Sequence, residues 1–423
     1  MKGPAGAVRL LSGLDGSGPV GLEEHLDRWG PLPPTRPEAL LVAVEQSGLR
    51  GHGGAWFPVG TKWRSVRRSG LRSPVVVANG AEGEPASGKD RLLLGRVPHL
   101  VLDGAAVAAL AVGAKDVLVH VPAQAVPAVR AALDERRRRG VDPCPVEIVV
   151  APDRFLAGQE TAAVNTIEGR KVAIPSFQGL RTVRDQGVAG RPTLVQNVET
   201  LAHAALVARF GADWFRRHGT AESPGTTLLT VTGRWDGPRV VEASLGTPLG
   251  AILSVPPDDA RRIQGILLGG YGGGWIPTGP ALAMPLTEEA ARRSGSSIGP
   301  GVVALLPAGI CPLAEAARVV RYMEGQGAGQ CGPCVNGLDV LATTVEQLAH
   351  RPASLRGGVT AIPTLCGLVE GRGACHHPDG VARFVRSALE VFADHVTAHL
   401  TRGPCHTAAA PFLPVLATTG RRR

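Results

Sequence analysis

The sequence predicts an α/β protein followed by two smaller regions, a β-rich α+β segment and a helical bundle. Three observations carry this. Between about residues 35 and 220, valine-rich runs alternate with alanine-rich ones, and that βαβαβ rhythm predicts a parallel sheet covered by helices. Near residue 225 the texture changes to short apolar runs separated by turns bearing glycine and proline. From residue 312 onward the apolar period is helical.

Residues 1–34 read as a poorly ordered lead-in. Within 35–224, "SPVVVANG" (73–80) reads as strand and turn, and "HLVLDGAAVAALAVGA" (99–114) as helix. "KDVLVHV" (115–121) reads as strand, "AQAVPAVRAALDERRRR" (123–139) as helix and "VEIVVAP" (146–152) as strand. In 225–307, "GTTLLTVTGRWDGPRVVEASLGTPLGAIL" gives two strands about a W-D-G-P turn and a short helix. "IQGILLGGYGGGWIP" and "GPGVVALLP" complete that small domain. Residues 308–403 hold four helical runs, "PLAEAARVVRYMEGQ", "VNGLDVLATTVEQLAHR", "GVTAIPTLCGLVEG" and "DGVARFVRSALEVFADHVTAHLT", the makings of a bundle. Residues 404–423, rich in Pro, Ala and Arg, read as a tail.

A length of 423 residues implies several domains, and 44% hydrophobic with 19% charged residues is globular composition. The net charge of +9 is spread over short runs. "DERRRRG" (134–140) reads as a solvated helix end. With few aromatics and no RNA-binding signature, nucleic acid is not an expected partner. The start, "MKGPAGAVRLLSG", lacks the apolar core and cleavage site of a secretory signal. "HLVLDGAAVAALAVGAK" is interrupted by Asp103 and fits a buried helix rather than a membrane span. Seven cysteines, an odd number, argue for ligands or free thiols in a cytoplasmic setting. Any membrane association would come through partners.

Five stretches hold groups suited to chemistry. "GLRGHGGAWFPVGTKW" (48–63) places Gly51, Gly53, Gly54 and Gly60 beside Arg50 and Lys62. Such a loop either approaches a phosphate closely or is merely a turn. "ANGAEGEPASGKDR" (78–91) puts Asn79, Glu82 and Glu84 after a buried strand, where ligands bind in parallel sheets. "RFLAGQETAAVNTIEGRK" (154–171) carries Glu160, Asn165 and Glu168 at helical spacings, and "GRPTLVQNVETLAH" (190–203) carries Gln196 and Asn197. Finally, "EGQGAGQCGPCVNG" (324–337) contains Cys331 and Cys334 in a C-x-x-C turn, which suits zinc, disulfide chemistry or part of an iron–sulfur cluster.

In order and spacing, the first four stretches resemble the NADH-binding flavoprotein component (the F subunit) of respiratory complex I and its counterparts in NAD-linked hydrogenases and formate dehydrogenases. That family reads G-L-R-G-R-G-G-A-G-F-P-T-G-x-K-W, then N-A-D-E-G-E-P-x-x-x-K-D-R, G-E-E-T-A-L-x-x-S-L-E-G and P-T-x-x-N-N-V-E-T-L. The likeness spans about residues 40–400. It implies a Rossmann-like FMN-binding domain, a small β-grasp domain (ubiquitin-like, SLBB-type) and a helical bundle carrying a [4Fe–4S] cluster. It implies FMN contacts at Gly51, Gly53, Gly54, Lys62, Asn79 and Asn197, and NAD contacts at Phe57, Glu82 and Glu160. No residue is assigned as catalytic. The implied function is oxidation of NADH or NADPH through FMN, with electrons passing through the cluster to a ferredoxin-like or other iron–sulfur partner.

Departures from the family pattern cluster at these same stretches. Trp56 replaces a glycine, Ala81 an aspartate, Gln159 a glutamate and Gln196 an asparagine. Two readings compete: Gln159 relaxes repulsion toward a 2′-phosphate, admitting NADPH, or the chain has become a non-catalytic cluster-bearing relay or scaffold without FMN or NADH. In the cluster motif S-C-G-x-C-x-P-C, Ala328 stands at the first cysteine, Cys331 and Cys334 match the next two, and Cys375 matches the last ligand. The fourth ligand is left open among Cys366, His376, His377, Cys405 or an exogenous group. A zinc site is the alternative to the cluster. Cys144 and Cys311 read as buried thiols, and "LLGGYGGGWIP" as a tight packing turn.

Overall fold

The computed structural model describes residues 8–14, 18–69, 72–170, 173–176, 182–234, 237–355, 358–405 and 411–415. The chain forms two compact units. One comprises Met1–Gly83, Gly88–Leu229 and Val240–Thr247; the other comprises Glu84–Ser87, Thr230–Arg239 and Pro248–Arg423.

In the first unit the valine runs form β1 (Val75–Asn79), β2 (Asp116–Pro122) and β3 (Val146–Ala151), joined by β4 (Thr193–Asn197). The order is β3-β2-β1-β4 and every pairing is parallel. β1 and β4 are buried along their length without alternation, as strands covered on both faces are. The sequence shows β4 only as a polar motif, because "TLVQN" is short and ends in two amides. The helix Pro98–Val112 starts on a proline and stops at Gly113 in the left-handed conformation. It crosses the helix Val198–Phe210 at Gly104, where a Cβ would lie 1.9 Å from the Leu201 carbonyl oxygen. Only glycine permits that crossing.

Two sequence expectations are corrected in this unit. Asp103 lies in the core, and its carboxylate is held by His25 Nε2 at 2.7 Å, Arg136 at 2.7 Å and Arg209. Arg136 therefore belongs to the core at 1% exposure, and only Arg137, Arg138 and Arg139 form the solvated end of that run. The lead-in is also ordered in part. Residues 22–29 form a helix with Trp29 buried. The Arg9 guanidinium donates to the Trp214 and Phe215 carbonyls, and the backbone N–H groups of Arg9, Leu10 and Leu11 donate to Glu242. Burial of Leu10, Val20 and Trp29 outweighs the flexible composition around them.

The remaining strands are β5 (Thr226–Thr232), β6 (Arg239–Ser244), β7 (Ile263–Leu268), β8 (Gly274–Ile276) and β9 (Val302–Pro307). In the second unit, Thr230–Thr232 of β5 pair parallel with β9, which pairs antiparallel with β7, and β7 antiparallel with β8. Trp235 and Asp236 of the expected turn lie outside the described residues. The run after β7 is the expected packing turn: Gly269 and Gly270 have φ of 84° and 71°, and a Cβ on Gly273 would lie 1.9 Å from the Leu268 carbonyl oxygen.

Beyond β9 lie the helices Pro312–Gln326, Leu338–His350, Ala361–Val369, His377–Val391 and Ala393–Arg402. The last expected helix is thus two, broken at Phe392, whose ring is buried 5.2 Å from that of Trp275. Part of the expected tail is packed as well: Leu413 is buried, and its N–H donates to Glu315.

Candidate functional site

β1 has β2 on one side and β4 on the other, so its carboxyl end marks the switch point where parallel sheets bind ligands. Asn79 and Asn197 end these two strands as register partners. The structure therefore sets two of the expected flavin contacts side by side. The glycine loop lies over the end of β4: a Cβ on Gly53 would lie 3.2 Å from Asn197 Cβ, and one on Gly51 would lie 3.7 Å from Gln196 Nε2. Gly54, at φ 113°, has nothing within 4 Å of its would-be Cβ. Lys62, on the helix Val59–Arg68, donates to the Val195 carbonyl at 2.8 Å and pairs with Glu160 at 3.0 Å. Gly158 accepts from Asn79 Nδ2 at 2.8 Å, drawing the Glu160 segment to the same strand end.

The other two expected nucleotide contacts, Phe57 and Glu82, are held by backbone hydrogen bonds of their own. Phe57 is an exposed aromatic, at 52%, whose carbonyl closes the loop by accepting from Gly51 N–H. Glu82 accepts from the N–H groups of Asp90 and Arg91 at 3.0 and 3.1 Å, so its charge faces the start of the helix Lys89–Arg96.

Beneath Asn197 lies a buried charge network that sequence reasoning missed. Lys89 Nζ bonds Asp90 at 2.7 Å and Glu199 at 2.9 Å, and it donates to Asn197 Oδ1 at 3.4 Å. Glu199 also meets His52 at 3.0 Å and accepts from Thr227 and from Leu228 N–H. Burial alone would raise the Glu199 carboxyl, but Lys89, His52 and His203 together outweigh it and hold Glu199 well below the usual range. Burial likewise works against the Lys89 charge, and Asp90 and Glu199 outweigh it. The network anchors the loop and β4 from below. Its signal is present in the sequence as K-D-R and N-V-E-T, but nothing local distinguishes these charges from solvated ones.

In the second unit, Cys331 and Cys334 precede the helix Leu338–His350, and Cys375 precedes the helix His377–Val391. Burial, then Cys331 and then Cys375, push the Cys334 thiol up to about 12. Cys375 is raised by burial and by Cys331. Each of the three thiols thus lies within electrostatic reach of another, Cys331 hydrogen-bonds Cys334, and backbone N–H groups of Gly329 and His377 bond Cys334 and Cys375. Such thiols ionise only when a metal centre supplies the compensating charge. Ala328 follows Gly327, whose Cβ would lie 3.4 Å from Cys334 Sγ, so the backbone just before Ala328 passes beside the site.

The candidates for a fourth ligand are placed elsewhere. Cys366 is buried with Arg386 and Glu370 as its charged neighbours. The His376 ring is 83% exposed and pairs with Asp379. His377 Nε2 is 2.8 Å from the Met323 carbonyl. Cys405 lies 3.0 Å from His399 Nε2. Of the two cysteines outside the motif, Cys311 is buried as expected, whereas Cys144 is only half-buried. Among the described residues, the groups whose ligand atoms all lie within 4.8 Å are Cys311–His399–Cys405 and His52–Glu199–His203. The Cys331–Cys334–Cys375 set is more open than these, and a cubane suits it better than a single zinc ion.

Residues 44–205 match the family model for the Nuo51 FMN-binding domain, and residues 314–399 match that for the NADH-ubiquinone oxidoreductase-F iron-sulfur binding region. Over 390 residues the chain is 30% identical to the F subunit of NADH-quinone oxidoreductase of Mycobacterium tuberculosis, across 87% of this chain and 86% of that one. The chain belongs to the family of NADH-quinone oxidoreductase F subunits. The F 2 subunit of the Rhizobium meliloti enzyme is 28% identical over 387 residues, covering 87% of this chain and 90% of its own. Among solved structures, the air-oxidised NAD+-reducing [NiFe]-hydrogenase aligns with a TM-score of 0.80 and 29% identity, over 96% of this chain and 69% of that one. The chain is an NADH dehydrogenase-type oxidoreductase module with an FMN-binding domain and a [4Fe–4S] binding region.

Against the pattern of the F subunits, each departure has a local setting. Trp56 keeps a left-handed backbone at φ 52°, which suits the family glycine, and its indole is buried 4.9 Å from the His52 ring. Ala81 packs with Ala151, Ala157 and Ala173. Gln159 Oε1 accepts from Ala162 N–H at 2.8 Å and caps the helix Glu160–Ile167. Gln196 accepts from Trp63 Nε1 at 3.2 Å. The glycine loop, open at Gly54, fits a flavin mononucleotide together with the Lys62 cation and the paired asparagines. The three neighbouring thiols with their N–H donors fit an iron–sulfur cluster.

Proposed function

We propose that this chain is an electron-entry module that oxidises NADH and passes electrons to a ferredoxin-like or other iron–sulfur partner. The observation that supports it most is the pairing of Asn79 with Asn197 at the switch point, under the glycine loop and beside Lys62. Gly51, Gly53, Gly54 and Lys62 would hold the phosphate end of FMN, with Asn79 and Asn197 contacting the ring. Exposed Phe57 offers a face for the nucleotide to stack on, and Glu160 and Glu82 border its site. Bound flavin supplies the conversion of a two-electron hydride into single electrons. Cys331, Cys334 and Cys375 would hold the [4Fe–4S] cluster, its fourth position falling to an exogenous or partner group.

We read the mixed sheet as the β-grasp domain and take residues 35–224, 225–307 and 308–403 as the three functional regions. Among the described residues no single helix is long and apolar enough to cross a membrane. A cytoplasmic position peripheral to a membrane complex agrees with that.

The test is the visible spectrum of anaerobically purified protein, with flavin and iron quantified. Flavin bands that bleach on adding NADH are expected, and Lys62→Ala should lower flavin content at unchanged iron. Cys331→Ala should remove iron and leave flavin. Buried Trp56 and apolar Ala81 favour the second reading, a relay without flavin. Iron without flavin in the wild-type protein would establish that reading instead.

A further inference from the structure

The second unit holds a group of metal-ligating side chains that the electron-transfer reading does not use. Cys311 is the N-cap of the helix Pro312–Gln326, and its sulfur accepts from Ala314 N–H. His395 and His399 stand one turn apart on the helix Ala393–Arg402, a spacing that puts both on one face. Gly403, at φ 89°, turns the chain after that helix, and Cys405 comes back over it. The resulting contacts are Cys311 Sγ to His399 Nε2 at 3.4 Å, His399 Nε2 to Cys405 Sγ at 3.0 Å, and Cys405 Sγ to His395 Nδ1 at 3.9 Å.

The separations among Cys311, His399 and Cys405, whose ligand atoms all lie within 4.8 Å, suit a tetrahedral ion, and His395, outside that trio, would turn in from its 3.9 Å contact with Cys405 to complete the set. With Zn–S of about 2.3 Å and Zn–N of about 2.0–2.1 Å, neighbouring S and N ligands lie roughly 3.5 Å apart. The tautomer is also set for it. His399 Nδ1 faces the Leu348 carbonyl at 3.2 Å, and the backbone N–H of Cys405 points at Nε2. Nδ1 therefore carries the proton, and the Nε2 lone pair, which accepts the Cys405 N–H, is the one that a metal between the two sulfurs would take over. His399 is 1% exposed and Cys311 5% exposed.

We propose that Cys311, His395, His399 and Cys405 form a structural zinc site, separate from the iron–sulfur cluster. The ion pins the last helix and the returning chain to the start of the helix Pro312–Gln326. Two of its four ligands, Cys311 and Cys405, lie outside the stretch that matches the iron–sulfur family model.

The experiment measures zinc and iron together in the anaerobically purified full-length chain, with zinc-edge X-ray absorption to count ligands. About one zinc per chain with two sulfur and two nitrogen ligands is expected. Cys405→Ser and His395→Asn, both at partly exposed positions near the end of the chain, should lose zinc and keep iron. Cys331→Ala should do the reverse. The proposal is overturned if the wild-type chain lacks zinc, if zinc survives both Cys405→Ser and His395→Asn, or if zinc is lost only with Cys331→Ala. A Cys311–Cys405 disulfide in the purified protein would overturn it equally.

Discussion

Trp56 shows how far one side chain can depart from its family while its backbone does not. A left-handed residue other than glycine costs roughly 1–2 kcal/mol, yet the indole is 3% exposed and packed on His52. Removing a buried Trp costs about 3–5 kcal/mol, so packing wins over strain. Trp56→Gly should therefore lower the unfolding free energy by about 1–4 kcal/mol, the difference of those two figures. Urea titration measures it, and a stabilised variant would show that strain dominates. Asp103 is the second test at this scale. It faces His25, Arg136 and Arg209 in the core. Asp103→Asn takes the counter-charge from Arg209 and one of two from Arg136, which keeps Asp142, and should cost about 3 kcal/mol.

Among the elements, the crossing of the helices Pro98–Val112 and Val198–Phe210 positions the site. The second of these helices begins directly after Asn197, which caps it by accepting from Glu199 N–H. Any shift of this helix therefore moves Asn197, one of the residues proposed to contact the flavin. Gly104→Ala would drive a methyl into the Leu201 backbone, at 1.9 Å from the carbonyl oxygen and 2.8 Å from Cα. Backbone cannot rotate away as a side chain can. A loss of about 3 kcal/mol is expected, read as a lower urea midpoint at unchanged slope, together with reduced flavin retention. A neutral result would mean that the two helices separate without effect on β4.

For the whole molecule, buried histidines govern the response to acid. His120 is 0% exposed, and burial depresses it from 6.5 to about 4; His203, also buried, is held well below its ordinary value. The unfolded chain binds protons that these folded sites refuse. Their contribution to stability is therefore full above pH 6.5 and is lost as pH falls toward 4, by up to about 1.4 kcal/mol per pH unit for each histidine. Glu242 works in the opposite sense. Burial raises it to about 7, so its destabilising charge is relieved as pH falls through 7. Urea midpoints of wild type and His120→Asn between pH 7 and 5 isolate the histidine. The variant should show a slope shallower by about one proton, and parallel curves would remove His120 from the account.

Local pattern makes much of this protein legible in its sequence. Runs such as "VVVAN" and "DVLVHV" are apolar enough to declare buried parallel strands. Gly51, Gly53 and Gly54, the asparagine-bearing motifs and Cys331, Cys334 and Cys375 keep an order and spacing that carries the family resemblance. Three kinds of fact are not legible there, because they depend on partners distant in the chain. Arg136 is a core residue because its charge is shared between Asp142 and Asp103, the latter 33 positions away. Glu199 and Lys89 come to lie under the ends of β1 and β4 only when Asn197 is set beside Asn79. Cys405, expected at the end of one long helix, is brought back to Cys311 by the break at Phe392 and the turn at Gly403. The order of residues is enough to say which groups the protein owns and to which family its motifs point. Which of those groups meet is settled by folding in three dimensions. Burial makes an unpaired charge or an unliganded thiol costly, and so selects partners by distance, not by order along the chain.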